Sequence, residues 1–265
     1  MVGLLGAGAC GDRSQTVLTV LAASSLTDAF GVLERRFEGE HPGTDVVMIH
    51  AGSQVLRVQL EHGAPGDVFA SANAEHMQAV MAAGRVAQEH PFARGGLALV
   101  VPPDNPAGIE SLEQLPRASR VVLGVPEVPV GRYTQALLEQ ADRYYNNHSG
   151  LQGGGLQGGS LQGGSFRAQV QERVVSLEPN VRLVLAKVEL GEADAAIVYR
   201  SDVTSARAVT MIPIPASLDV AAEYHVGILV DSEHPHVARQ WVELLGSSPG
   251  QAVLQEHGFV SLDDR

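Results

Sequence analysis

The apolar run Val17 to Ala22 ends on two serines, Ser24 and Ser25, and the hydrophobic period changes at once from that of a strand to that of a helix. Leu26, Ala29, Phe30, Leu33 and Phe37 then share one helical face. A strand that runs into a helix through small hydroxyl residues is one unit of an α/β fold. It also sets O–H donors beside the unpaired N–H groups of a helix N-terminus, a site for an anion that needs no cationic side chain. Serine is equally a good N-cap, so a single instance decides little. The chain repeats the device. Val46 to His50 is a second strand-like run, followed by Ala51-Gly52-Ser53-Gln54 and by Leu56 and Leu60 at helical spacing. Asp67 to Ala72 is a third, ending Ser71-Ala72-Asn73 before a helical stretch from Glu75 to Ala83. Three such turns in succession describe the carboxyl edge of a parallel sheet, where open α/β sheets bind their ligands.

The alternation continues. Strands are predicted over Leu97 to Val101, Val121 to Val125, Ala195 to Tyr199, Val209 to Ile214 and Val226 to Val230. Helices are predicted over Tyr133 to Tyr144, Val181 to Leu190 and Val237 to Leu245, with Ser248-Pro249 opening a last one as a serine cap followed by proline. At 265 residues the chain exceeds a typical domain. The expected architecture is α/β in two lobes, each a mostly parallel sheet flanked by helices. Residues 16–95 would form the first lobe, 96–224 the second, and 225–265 would return to the first. Residues 146–165 stand apart: Leu-Gln-Gly-Gly recurs from Leu151, Leu156 and Leu161, too polar to bury anything and read as a flexible surface loop.

Composition removes several function classes. The formal net charge of −12 argues against nucleic acid and acidic membranes as partners. With 5% aromatic residues, a stacking platform for bases or sugars is not expected. Other catalytic signatures are missing too: no H-E-x-x-H or cysteine cluster, no P-loop. His234-Pro235-His236 is a lone local pair at the start of a helix. The chain therefore reads as a binder, not an enzyme, without cofactor or directly ligated metal cation. The single Cys10 excludes an internal disulfide. It follows Leu4-Leu5-Gly6-Ala7-Gly8-Ala9, which resembles the end of a bacterial lipoprotein signal although the segment is short and lacks a basic start. On that reading residues 1–15 are signal and tether, and Cys10 is the lipidation candidate.

Two later segments complete the candidate site. In Gly124-Val125-Pro126-Glu127-Val128-Pro129-Val130-Gly131 the prolines fix the backbone, so that the N–H groups of Val130 and Gly131 face outward at a helix start. Glu178-Pro179-Asn180-Val181-Arg182 opens another helix, and Tyr199 puts a phenol at a strand's carboxyl end. A turn with no ligand and an ordinary core-edge tyrosine are the competing readings of these two places.

Taken in order, Ala23-Ser24-Ser25-Leu26, Ala51-Gly52-Ser53, Gly63-Ala64-Pro65-Gly66-Asp67-Val68-Phe69, Val128-Pro129-Val130-Gly131-Arg132-Tyr133, Asn180-Val181-Arg182 and Ile197-Val198-Tyr199-Arg200-Ser201-Asp202 resemble the molybdate-binding proteins of bacterial ABC transporters. These have the periplasmic type II binding-protein fold, and the resemblance covers roughly Thr16 to Val260 apart from the Gly-rich insertion. It implies an oxyanion, molybdate or tungstate, held between the lobes by neutral donors. By position, Ser25 and Ser53 would give hydroxyl and backbone donors, Val130 and Val181 backbone N–H groups, and Tyr199 its hydroxyl. The resemblance also implies a monomer that hands the ion to a membrane permease from the periplasm or the outer face of the cytoplasmic membrane. Sulfate, another oxyanion or a small organic acid is the alternative ligand. His225 departs from the family, whose members often carry proline there.

Overall fold

The structure, a computed structural model, describes residues 15–148 and 164–262. Cys10 and the Leu-Gln-Gly-Gly repeats lie outside the described residues. Among these residues the strands form two five-stranded sheets. In the first, the order is β2 (Thr44–Ala51), β1 (Thr16–Ala23), β3 (Val68–Ser71), β10 (Ala222–Leu229) and β4 (Val86–Gly95). In the second it is β7 (Val174–Glu178), β6 (Val121–Gly124), β8 (Ala195–Tyr199), β5 (Leu97–Val101) and β9 (Thr210–Ile212). Each sheet has a parallel trio, β2-β1-β3 or β7-β6-β8, extended by antiparallel strands. The central strands β3, β5, β6 and β8 are buried along their whole length. Continuous apolar runs, rather than alternating ones, are what two covered faces require.

Helices α1 (Thr27–Glu40), α2 (Ser53–Glu61) and α3 (Ala74–Ala82) cover the first sheet. Helices α4 (Pro129–His148), α5 (Phe166–Gln171), α6 (Val181–Glu189) and α7 (Arg200–Thr204) belong to the second. The last two, α8 (Pro235–Gly246) and α9 (Ser248–Glu256), follow the return strand β10 and pack back on the first. The face of α1 foreseen from its spacing is the buried one, with Phe30 and Phe37 edge-on to Trp241 of α8 at 5.5 and 5.4 Å. One apolar cluster runs through both sheets. A smaller one, including Leu56, Leu60, Phe69 and Met77, lies beneath α2 and α3.

Several elements differ from the sequence expectation. β4 and β7 were not foreseen: β4 carries Glu89, His90 and Pro91 without alternation, and both are edge strands held by backbone pairing. α4 starts at Pro129, four residues ahead of Tyr133, because proline suits the first turn of a helix. The return strand begins at Ala222, so Tyr224 is already inside it. Ser247, not Ser248, caps α9, accepting from the Gly250 N–H at 3.2 Å. Beside the repeat segment, α4 extends through His148, and Ser165 caps α5 by accepting from the Ala168 N–H at 3.4 Å.

Candidate functional site

Strand register builds the site. Ala23 of β1 is level with Ala51 of β2, and Ala22 with Ala70 of β3. The turns that follow, Ser24-Ser25, Gly52-Ser53 and Ala72, therefore emerge side by side. In the second sheet Gly124 is level with Glu178, and Val122 with Ala196. That sets the segments Val128-Pro129-Val130 and Asn180-Val181 beside Tyr199. The two carboxyl edges face each other across one cleft, lined by all five residues singled out from the sequence: Ser25, Ser53, Val130, Val181 and Tyr199. Ser24, Gly52, Ala72, Val128, Pro129, Ala23 and Asn180 complete its wall. No charged side chain is among them.

The local structure of each donor has a cause. Ser24 to Leu26 form a 3-10 turn leading into α1, and no side chain caps either helix start. The plain capping role of these serines is therefore not what the structure shows. Ser53 is the first residue of α2, 1% exposed, and its Oγ accepts the Ala72 N–H at 3.1 Å. At the preceding position only glycine fits: a Cβ on Gly52 would lie 2.7 Å from the Pro179 carbonyl oxygen across the cleft. Val130 sits in the first turn of α4 and Val181 in that of α6, where backbone N–H groups have no intrahelical acceptor. Asn180 takes the Leu183 N–H at 3.0 Å, three residues in, as an N-cap should. Helices α2, α4 and α6 thus all start at the cleft and turn their partial positive charge towards it.

Tyr199 is buried, 1% exposed, and its hydroxyl has no hydrogen-bond partner among the described residues. Burial pushes its pKa well above the ordinary phenol value, with the neighbouring Tyr224 and Tyr133 adding to the shift. The group stays O–H at any working pH, a donor with nothing among the described residues to receive it.

Polar contacts bridge the cleft's two sides. Gln54 Nε2 donates to the Pro179 carbonyl at 2.8 Å, and His76 Nε2 to the Glu127 carbonyl at 3.1 Å. Arg132 pairs with Glu75. Arg182 does most: its Nε donates to the Ser24 carbonyl at 3.2 Å, and its guanidinium pairs with Asp28 of α1 and with buried Asp202 of α7. Burial works to raise the Asp28 carboxyl, but hydrogen bonds from Ser205 and Arg182 outweigh it and hold it below the usual range. In Asp202 the balance reverses: burial pushes the carboxyl up to about 7 despite Arg182. Arg182 and Asp28 were not singled out as a pair from the sequence, since they lie 154 residues apart.

Two facing sheet edges with a small donor-lined cleft between them define a solute-binding protein, and the chain belongs to the family of bacterial extracellular solute-binding proteins, matched over residues 18–260. Among its relatives is a molybdate-binding protein of Mycobacterium tuberculosis, 33% identical over 246 residues, spanning 91% of this chain and 84% of that one. Solved structures share the fold. A periplasmic molybdate-binding protein of Azotobacter vinelandii aligns with a TM-score of 0.72 at 18% identity, over 92% of this chain and 98% of that one. A sulfate-binding protein of Mycobacterium tuberculosis aligns with a TM-score of 0.76 at 17% identity, over 94% and 88%. No helix among the described residues is long and apolar enough to cross a membrane.

Proposed function

We propose that the protein captures molybdate, and tungstate with it, outside the cytoplasm and delivers the ion to the permease of an ABC transporter. The observation that carries this reading is the buried, unpartnered hydroxyl of Tyr199 in a cleft lined by donors and by no charged side chain. A tetrahedral dianion needs several converging donors, and helix N-termini make a full counter-charge unnecessary. Ser25 and Ser53 bind from one side; the Val130 and Val181 N–H groups and the Tyr199 hydroxyl bind from the other. The M. tuberculosis relative supports the choice of molybdate.

Size supports a small inorganic ion over an organic acid. The cleft volume is about 10 Å³, near what one trapped water requires. Donors spaced for molybdate or tungstate would reach the smaller sulfate only through stretched hydrogen bonds. Residues 16–95 and the return from Ala222 act as one lobe and 96–221 as the other, closing on the ion in a hinge motion that offers the permease a changed surface. The protein works as a monomer, does no catalysis, and is held to the outer face of the cytoplasmic membrane by acylation of Cys10, which mass spectrometry of a membrane fraction would detect.

Isothermal titration of the ligand-stripped protein with molybdate, tungstate and sulfate tests the assignment. Tight one-to-one binding of the first two with little response to sulfate is the expected outcome. Preference for sulfate, or no oxyanion binding by folded protein, would overturn it.

A further inference from the structure

Behind the cleft, outside its lining, stands Tyr224 of β10. It is fully buried, and its hydroxyl donates to Ser25 Oγ at 3.1 Å. A strand residue reaches this place because the ladder between β10 and β4 shifts register between Tyr224 and His225, and such irregularities re-aim side chains. Gly95 on β4 leaves the room: a Cβ there would sit 3.2 Å from the Tyr224 ring. The ring is clamped edge-on by Phe92, Tyr199 and Phe259 at 6.2, 6.0 and 5.1 Å. Burial and the nearby Asp202 keep the phenol protonated, so it always has a hydrogen to give.

The two cleft serines are thereby treated alike. Ser53 Oγ accepts a backbone N–H, that of Ala72, and Ser25 Oγ accepts the Tyr224 O–H. A hydroxyl that accepts from behind has lost its obvious acceptor on that side and turns its own hydrogen elsewhere. For both serines the other direction is the cleft. Hydrogen bonds in such a chain also polarise one another, which strengthens the last donor when it meets an anion. We propose that Tyr224, which does not itself touch the ligand, is a positioning residue that fixes Ser25 as an oriented donor to the bound oxyanion. The inference rests on the oxyanion reading of the cleft given above.

The test is a double-mutant cycle by isothermal titration with molybdate, using Tyr224→Phe, Ser25→Ala and the pair, with a thermal melt of each protein. Phenylalanine keeps the ring packing and removes only the hydroxyl. Tyr224→Phe is expected to lower affinity about fivefold when Ser25 is present and to have no further effect in the Ser25→Ala background. A purely structural tyrosine would give the same change in both backgrounds, and that result, or an unchanged affinity for Tyr224→Phe alone, would overturn the proposal. Should Tyr224→Phe melt early, Tyr224→Trp is no substitute, and the cycle is read below both melting points instead. A wild-type protein that prefers sulfate corrects the ligand only, and the cycle is then run with sulfate. Wild-type protein that binds none of the oxyanions overturns both readings at once.

Discussion

The two walls of the cleft offer the same chemistry by different means. The wall on the first sheet presents side-chain hydroxyls, Ser25 and Ser53, each held from behind by a donor of its own sheet. On the second sheet the corresponding groups are the first-turn N–H groups at Val130 and Val181, joined by one phenol, Tyr199. A hydroxyl can be deleted without moving the backbone, whereas a backbone donor can be lost only by moving a helix. The first wall is therefore tuned by side-chain identity and the second by the path of the chain.

The largest expected effect comes from moving the second wall. A Cβ on Gly131 would fall 2.0 Å from the Val125 carbonyl oxygen, which is backbone and has nowhere to go. Gly131→Ala should displace the start of α4, cost about 3 kcal/mol of stability and weaken oxyanion binding by about a hundredfold or more. Urea unfolding and titration measure the two. Wild-type values for both would mean that the α4 turn has slack and that the contrast between walls is false.

Ser53→Ala comes next. On the proposed oxyanion reading it removes a donor to the anion, and it strips the Ala72 N–H of its acceptor. Leaving a charged acceptor one donor short costs about 1–3 kcal/mol in binding. Unchanged affinity would take Ser53 out of the site.

A pair of substitutions on the second wall sharpens the comparison further. Tyr199→Phe should weaken binding by about 1–2 kcal/mol yet leave the melting temperature nearly unchanged, because the hydroxyl has no partner among the described residues to lose. Val130→Ala should do the opposite. Its side chain is 2% exposed, so truncation costs about 1 kcal/mol of stability, while the N–H facing the cleft stays. An affinity loss for Val130→Ala larger than that for Tyr199→Phe would show that the side chain, not the backbone, is what Val130 contributes.

How much of this could be read from the sequence follows the same division. The serine turns were legible because strand, small hydroxyl and helix period adjoin in sequence; Ser24-Ser25 and Gly52-Ser53 needed only the parallel register to be brought level. Pro126 and Pro129 marked the turn at Val130 on the other wall, whereas Val181 was picked out only by the family resemblance. Edge strands were lost: β4, with Glu89, His90 and Pro91, has no periodicity because its stability comes from pairing with β10 and not from its own pattern. Tyr224 and the Arg182–Asp28 pair were lost for another reason. Their partners stand 199 and 154 residues away, and nothing local marks them.

The last test concerns the residue that ties the walls together. Arg182 reaches Asp28 on one side and Asp202 on the other, yet the two carboxyls are displaced in opposite directions. Asp28 is held below its ordinary value, so its contribution to stability is complete above that ordinary value and fades as pH falls through the lower, folded-state one. Asp202 is raised from 3.8 to about 7. The folded chain binds a proton there that the unfolded chain has released, so stability from this site is present below about pH 4 and is lost as pH climbs towards 7. Above that it changes no further. Asp202→Asn keeps the shape and removes the titration. The variant should melt above wild type at pH 8, with the gap closing steadily as pH is lowered towards 4.5 in a melting series. A gap that stays constant over that range would mean that Asp202 is ionised throughout, with Arg182 compensating its burial. The guanidinium would then serve the second wall as fully as it serves Asp28 on the first.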